Sequence, residues 1–196
     1  MTKIKLFIAT TLDGFIARED GSLDWLSGSN ADSPQLEEKP TNENDGGYGE
    51  FLSTIDLVVM GRSTYEEILG FGVEWPYSNF RSYIVTSKKN YETKTDNTYT
   101  LNGIEQNAIA KIKSESKKSI WIVGGGNIIT QFLNHDAIDE MTLNVFPIIL
   151  GKGIRLFPDE PKETMFELKN IESFNSGFVN LTYKRIETRY HKDKRN

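Results

Sequence analysis

The sequence predicts an α/β domain of three layers, with a mixed and mostly parallel sheet that ends in an antiparallel hairpin. Short apolar runs alternate with segments of helical periodicity as far as about residue 134, as strands and crossover helices do. Beyond it, two strand-like runs, 166–174 and 178–186, flank Asn175-Ser176-Gly177, which favours a tight turn. A chain of 196 residues with 37% hydrophobic side chains suffices for one core, so we predict a single domain.

The predicted strands and helices follow one another in a regular order. Strands are predicted where apolar runs are short and end at glycine or polar residues, over 3–10, 56–60, 81–86, 119–123 and 141–150. Helices are predicted where apolar residues have helical spacing, over 48–55, from the capping box Ser63-Thr64-Tyr65-Glu66, over about 103–115, and after glycines 124–126.

The predicted domain spans residues 1–188 and contains one unusual segment. Residues 27–47 are rich in Ser, Asn, Asp, Glu, Pro and Gly, which predicts a long polar loop or insertion. Loops of this length are often lids or disordered, and we favour a partly mobile cover near the site. Residues 189–196 are predicted to form a basic, solvated tail.

The composition excludes several functional classes. The chain has no cysteine and two histidines, which leaves neither a disulfide framework nor a thiolate or multi-histidine metal site. No apolar stretch approaches the length that spans a membrane, and a net charge of −5 argues against general nucleic-acid binding. We therefore expect a cytoplasmic protein with no metal and no membrane or nucleic-acid partner.

The run from Trp121 to Phe132 predicts a strand, a glycine turn and a helix in immediate succession. Glycines at such a junction let the backbone approach a ligand closely, and the free N–H groups that open the helix attract an anion such as a phosphate. The alternative is that these glycines only pack the helix against the sheet.

Four segments in this order resemble the dihydrofolate reductase superfamily, especially the branch related to the C-terminal reductase domain of bacterial riboflavin biosynthesis. They are the strand end and loop from Ala9 to Ala17, Gly61-Arg62-Ser63-Thr64 after a buried strand, the glycine turn after Val123, and the run from Phe146 to Gly153. The resemblance implies a dihydrofolate-reductase-like fold, a reductase activity and a reduced nicotinamide dinucleotide as cofactor.

The same resemblance implies which residues bind the cofactor. It places Ala9 and Ile16 beside the nicotinamide, and the adenosine 2′-phosphate at Thr86, Ser87 and Lys88, where two hydroxyls and a lysine ammonium group suit a dianion and favour NADPH. The other predicted contacts are Gly61, Arg62, Ser63, Thr64, Val123, Gly124, Gly125, Gly126, Asn127 and Ile128. The alternative is that Ser63 and Thr64 only cap a helix and that Arg62 is solvated.

The proton source is left open among three aspartates. Folate reductases place a carboxylate on the first helix; ungapped counting from Gly61 reaches Asp45, whereas alignment on Phe51 reaches Gly47. Asp45 could equally cap that helix. Asp13 matches an acidic position of the riboflavin branch but also suits a turn, and Asp24 lies on the loop expected to cover the nicotinamide.

The predicted activity is an NADPH-dependent reduction of a small heterocycle, pyrimidine-like or pterin-like. The substrate-binding residues would be Tyr48 and Phe51, with Gly151 and Lys152 at a substrate phosphate if the acceptor is 5-amino-6-(5-phosphoribosylamino)uracil. The chain has no deaminase zinc motif, so it would act there as a stand-alone domain. The alternatives are a nucleotide-binding module without turnover and, less favoured, a phosphate-handling transferase. The resemblance also implies a homodimer.

Overall fold

A central sheet of eight strands organises the computed structural model, which describes residues 2–27, 46–158, 160–175 and 177–186. The strands are β1 (Ile4–Thr11), β2 (Phe15–Ala17), β3 (Ile55–Gly61), β4 (Arg81–Val85), β5 (Thr98–Leu101), β6 (Ser119–Gly124), β7 (Glu140–Phe146), β8 (Ile154–Arg155), β9 (Phe166–Ser173) and β10 (Val179–Arg185). The helices are α1 (Tyr48–Ser53), α2 (Arg62–Gly70), α3 (Gln106–Glu115) and α4 (Gly126–Asn134), with a 3-10 turn at Asp24–Ser27.

The sheet is mixed and mostly parallel, which confirms the predicted fold class. Its order is β5-β4-β3-β6-β1-β7-β10-β9, and every neighbouring pair from β5 to β7 is parallel. β10 pairs antiparallel with both β7 and β9. β2 and β8 form a separate antiparallel pair beside the main sheet.

Helices cover both faces of the sheet, so the predicted three layers are present. Alternate side chains of a strand point to opposite faces. In β1, Ile4 and Leu6 join a core cluster with residues of α3 and α4. Phe7 instead packs with the second cluster, which contains residues of α1 and α2 around the buried Trp121.

Most predicted strands and helices are confirmed, with three differences. The strand predicted over 141–150 ends at Phe146, because Pro147 has no N–H to continue a ladder. The capping box at Ser63 is wrong: α2 begins at Arg62, its N-cap Gly61 is extended, and no side chain caps it. β2, β5 and β8 were not predicted.

Two predicted segments lie largely outside the described residues. Of the polar loop 27–47 only residues 27, 46 and 47 are described, and the tail 189–196 is outside the described part altogether. Within the described ranges, no helix combines the length and apolar character that crossing a membrane requires.

Candidate active site

Two strand-to-helix turns meet at the carboxyl edge of the sheet. β3 and β6 are neighbours, and each passes directly into a helix, α2 or α4. A Cβ on Gly61 would lie 3.1 Å from Ile128 Cγ1, and one on Gly125 would lie 3.4 Å from Thr64 Oγ1. Larger side chains would force these turns apart. The N-terminal N–H groups of both helices therefore lie together, where they attract an anion.

The three glycines of the second turn have different surroundings. Gly124 has a φ of 148°, and no heavy atom lies within 4 Å of the position that a Cβ would take. The peptide bond from Gly124 to Gly125 is cis. A Cβ on Gly126 would lie 2.7 Å from Pro158 Cδ and would overlap the carbonyl oxygen of Arg155. Space for a ligand is thus found at Gly124, whereas Gly126 has a packing role.

The other predicted cofactor residues of these two turns are spread over both helices. Ser63 and Asn127 are exposed in the first turns of α2 and α4, and Val123 packs with the cluster on the α1 side of the sheet. Arg62 forms an ion pair with Glu66, one helical turn further along α2. The structure therefore brings hydroxyl, amide and guanidinium groups to the anion-attracting edge.

A cavity of about 630 Å³ lies at the carboxyl ends of β4 and β5. The predicted 2′-phosphate residues line it, and Lys88 N donates a hydrogen bond of 3.1 Å to Thr86 Oγ1. The lining residues are Thr86, Ser87, Lys88, Lys89, Asn90, Tyr91, Thr100, Leu101 and Asn102. The last three were missed because β5 was not predicted, although Thr98-Tyr99-Thr100-Leu101 has strand-forming residue types.

Ala9 lies at the centre of the sheet, beside a polar pair that the sequence analysis missed. It is half-buried in β1 and in register with Asn144 of β7. The buried Asn144 amide donates to Asn180 of β10, and Asn180 Nδ2 donates to Gly46 O at 2.7 Å. Asparagine is uncommon inside strands, so its occurrence in two of them was an available signal. The pair connects the sheet to the chain that enters α1.

Ile16, predicted with Ala9, lies in β2 and packs against the cluster on the α3 and α4 side.

Asp13 is held by hydrogen bonds at both carboxylate oxygens. Thr11 Oγ1 donates to Oδ1 at 2.6 Å, Leu150 N donates to Oδ1 at 3.2 Å, and Gly151 N donates to Oδ2 at 2.7 Å. The Thr11 hydroxyl is the main cause that lowers the pKa of the Asp13 carboxyl below its usual value. Such a group stays ionised and accepts hydrogen bonds, which suits an anchor for residues 150 and 151 better than a proton donor.

Asp24 is exposed and paired with Arg18. Arg18 Nε and Nη2 donate to its two oxygens at 2.6 and 3.0 Å, and this contact lowers the pKa of the Asp24 carboxyl. The next residue, Trp25, is buried against Phe146 with ring centroids 5.4 Å apart. Asp45, the third predicted aspartate, lies outside the described residues.

Tyr48 and Phe51 belong to an aromatic cluster under α1. Phe51 stacks on Phe7 with centroids 4.6 Å apart, and both α1 rings meet Trp121 edge-on. Burial raises the pKa of the phenols of both Tyr48 and Tyr77. Both residues pack in the cluster and both are half-buried, so each ring keeps some exposed surface.

Gly151 and Lys152 lie beside the β2–β8 pair. The Gly151 amide is engaged by Asp13, and Lys152 Nζ is exposed and 2.8 Å from Glu19 Oε2. No cluster of three or more metal-ligating side chains occurs among the described residues.

The family of the protein is shown by a match over most of the chain. Residues 2–180 match the model of the RibD C-terminal domain. The chain belongs to this family. Its members are in general reductases of riboflavin biosynthesis. The uncharacterized proteins YwjB and YyaP of Bacillus subtilis are 37% and 31% identical to the chain, which covers 98% and 94% of their lengths. The alignment with YwjB includes 93% of the residues of this chain, and the alignment with YyaP includes 92%.

Similarity to RibD itself is weaker but extends to solved structures. RibD of Corynebacterium ammoniagenes is 23% identical over 77% of this chain, which spans 44% of that protein. A structure from Shewanella sp. PV-4, provisionally described as a riboflavin biosynthesis protein, matches with a TM-score of 0.78 and 31% sequence identity. The match covers 95% of this chain and 99% of the Shewanella chain. Acinetobacter baumannii RibD matches in fold, with a TM-score of 0.65 and 14% sequence identity. This match covers 95% of this chain and 58% of the Acinetobacter chain.

Proposed function

We propose that this protein is an NADPH-dependent reductase that transfers a hydride to a small pyrimidine-like or pterin-like heterocycle. The observation that carries the proposal is the carboxyl edge of the sheet. There, the N-termini of α2 and α4 lie close together because Gly61 and Gly125 have no side chains to separate them. Beside them is the cavity lined by Thr86, Ser87 and Lys88. This donor set suits a ligand with several phosphates.

The residues at this edge fit a dinucleotide. Thr64 and the backbone at Gly124 would hold the pyrophosphate, because no heavy atom lies within 4 Å of the Cβ position of Gly124 and the Thr64 hydroxyl lies beside Gly125. Lys88 and its neighbouring hydroxyls would hold the 2′-phosphate. When bound, the reduced nicotinamide supplies the hydride. Ala9 offers a small side chain beside which a flat ring can lie against the sheet.

On the substrate side, this chain has to orient the acceptor and deliver one proton. Tyr48 and Phe51 would form an aromatic wall, and Lys152 would reach a substrate phosphate, as expected for 5-amino-6-(5-phosphoribosylamino)uracil. Asp13 would act by anchoring residues 150 and 151 rather than by donating a proton, because its hydrogen bonds keep it ionised. We also propose a homodimer that pairs through β9 and β10.

The test begins with binding. NADPH should bind with a change in its fluorescence, and Thr64→Val should weaken binding about ten-fold, or about 1.4 kcal/mol, through loss of one hydrogen bond to a phosphate. Thr164→Val, a threonine remote from the turns, is the matched control and should change binding by less than two-fold. Absence of NADPH binding would contradict the proposal.

The second step decides whether the protein turns over. NADPH oxidation should follow addition of 5-amino-6-(5-phosphoribosylamino)uracil or of dihydrofolate. Binding without oxidation would instead support a nucleotide-binding module, a candidate favoured by the hydrogen bonds that engage both carboxylate oxygens of Asp13 and of Asp24 within the protein.

A further inference from the structure

Glu66 lies between Arg62, a predicted phosphate contact of the cofactor, and the cavity predicted to take the 2′-phosphate. One oxygen of its carboxylate forms an ion pair with Arg62, and the other accepts a hydrogen bond of 3.2 Å from the Tyr91 hydroxyl. Tyr91 lines the same cavity as Ser87 and Lys88. The Glu66 carboxylate is thus an anion that contacts the wall of the cavity through Tyr91.

A carboxylate and a phosphate are bound by the same donors. Both accept hydrogen bonds from a guanidinium group, so they compete for any N–H that both can reach. Glu66 accepts from Arg62 Nη1 alone, so a phosphate can take both terminal nitrogens of Arg62 only after that contact breaks. The Arg62–Glu66 pair is open to such an exchange, because the two side chains are 30% and 42% exposed.

We propose that Glu66 is an internal competitor for the 2′-phosphate, and that it sets both the affinity for NADPH and the preference for NADPH over NADH. This inference rests on the proposed function, since it assumes that the cavity takes a 2′-phosphorylated nucleotide. When the phosphate enters, Arg62 turns from the carboxylate to the dianion, and Glu66 moves toward solvent.

The electrostatics of the neighbouring groups agree with competition. The hydrogen bond from Arg62 is the main cause that lowers the pKa of Glu66, and the charge of Lys88 lowers it further. The carboxylate is therefore ionised at neutral pH. It neutralises in part the cations that a phosphate would use, and it repels the phosphate itself.

The experiment compares Glu66→Gln with the wild type, using adenosine 2′,5′-bisphosphate and 5′-AMP as probes that need no turnover. Calorimetry should show the bisphosphate binding at least five-fold more tightly to Glu66→Gln, and 5′-AMP less than two-fold more tightly. NADPH and NADH should follow the same order in fluorescence titrations.

Glu67→Gln is the matched control. It removes the same charge from the adjacent residue of α2, whose carboxylate faces Gly21 instead of Arg62. It should leave the binding of both nucleotides within two-fold of the wild type. An equal gain in both variants would overturn the inference, because it would show an effect of net charge alone.

Two further outcomes separate this inference from the proposed function. In the first, the wild type binds NADPH but Glu66→Gln binds the bisphosphate no more tightly than the wild type does. Glu66 then does not compete with the 2′-phosphate, weaker binding would mean that it positions Arg62, and only the inference fails. If neither the wild type nor the variant binds any of the four nucleotides, both proposals fail.

Discussion

At the scale of single residues, Asp13 shows how one motif can suit two roles. The pair Asp13-Gly14 is compatible with catalysis and with a turn, and its neighbourhood in sequence does not distinguish them. The structure adds two amides from residues 150 and 151, which are 137 and 138 positions away. Those contacts join the β1–β2 turn to the segment after β7.

The bonds of Asp13 predict a specific pH dependence of stability. A carboxyl whose pKa is lowered by folding stabilises the protein above its unfolded pKa, near 3.9, and loses that contribution as pH falls through the folded value. Asp13→Asn should lower the melting temperature at pH 7, and the difference from the wild type should shrink below about pH 4. Thermal unfolding between pH 3 and pH 7 measures it.

Asp96→Asn, at an exposed turn, is the control for the lost charge and should show no such narrowing. A melting-temperature difference between wild type and Asp13→Asn that stays constant down to pH 3 would show that the Asp13 carboxylate contributes nothing through its ionisation.

At the scale of elements, the sequence predicts the strands and helices that a local residue pattern determines. It misses the strands that form only by pairing with a distant part of the chain. β3, β6 and α4 carry runs of apolar residues with a clear period, and all were predicted. β2 and β8 have three residues and two, and exist because Phe15 pairs with Arg155 across 140 positions. Local propensity carries no information about that pairing. The capping box failed because β3 runs directly into α2, which left Ser63 already inside the helix.

The same limitation applies to the candidate site. The glycine turn, Arg62 and Thr86-Ser87-Lys88 come from local motifs, and the sheet order brings them to one edge. The Asn144–Asn180 pair, the Arg62–Glu66 contact at the cavity and the role of Gly126 depend on side-chain placement after folding. The sequence shows asparagines in strand segments and the i,i+4 spacing of Arg62 and Glu66, but not which strands the asparagines join, the Glu66–Tyr91 contact or the groups that face Gly126.

Gly126 provides the prediction at the element scale. Its hydrogen atoms face Arg155 and Pro158, so α4 and the end of β8 are in backbone contact there. Gly126→Ala should destabilise the protein by about 1–3 kcal/mol, because the added methyl group must displace main chain. Denaturant unfolding measures the change. Gly70→Ala, at the exposed C-terminal end of α2 with no neighbour within 4 Å, should be neutral or stabilise by up to about 1 kcal/mol.

A result in which both alanine variants are equally stable would mean that the β8 segment moves away from α4 without cost. The β2–β8 pair would then be only loosely docked on the main sheet.

At the scale of the whole molecule, the centre of the sheet and its β9 edge differ in how they are covered. Apolar residues of β1 and β6 meet helices on both faces. The last strand, β9, is exposed along almost its whole length. Its Leu168 and Ile171 are 45% and 58% exposed, and they continue the apolar rows of Tyr183 and Leu181 on β10. Apolar surface next to an open strand edge is typical of a protein interface.

A second copy of the chain is the partner that we propose for this face, because a two-fold axis would bury the same rows from both subunits. The wild type should have twice the chain mass of 22.3 kDa in light scattering at micromolar concentration. Ile171→Glu places a charge in the centre of the apolar face and should give monomers. Asn170→Glu adds the same charge on the opposite face of β9 and should remain dimeric. A monomeric wild type would contradict the proposal, and a dimeric Ile171→Glu would place the interface elsewhere.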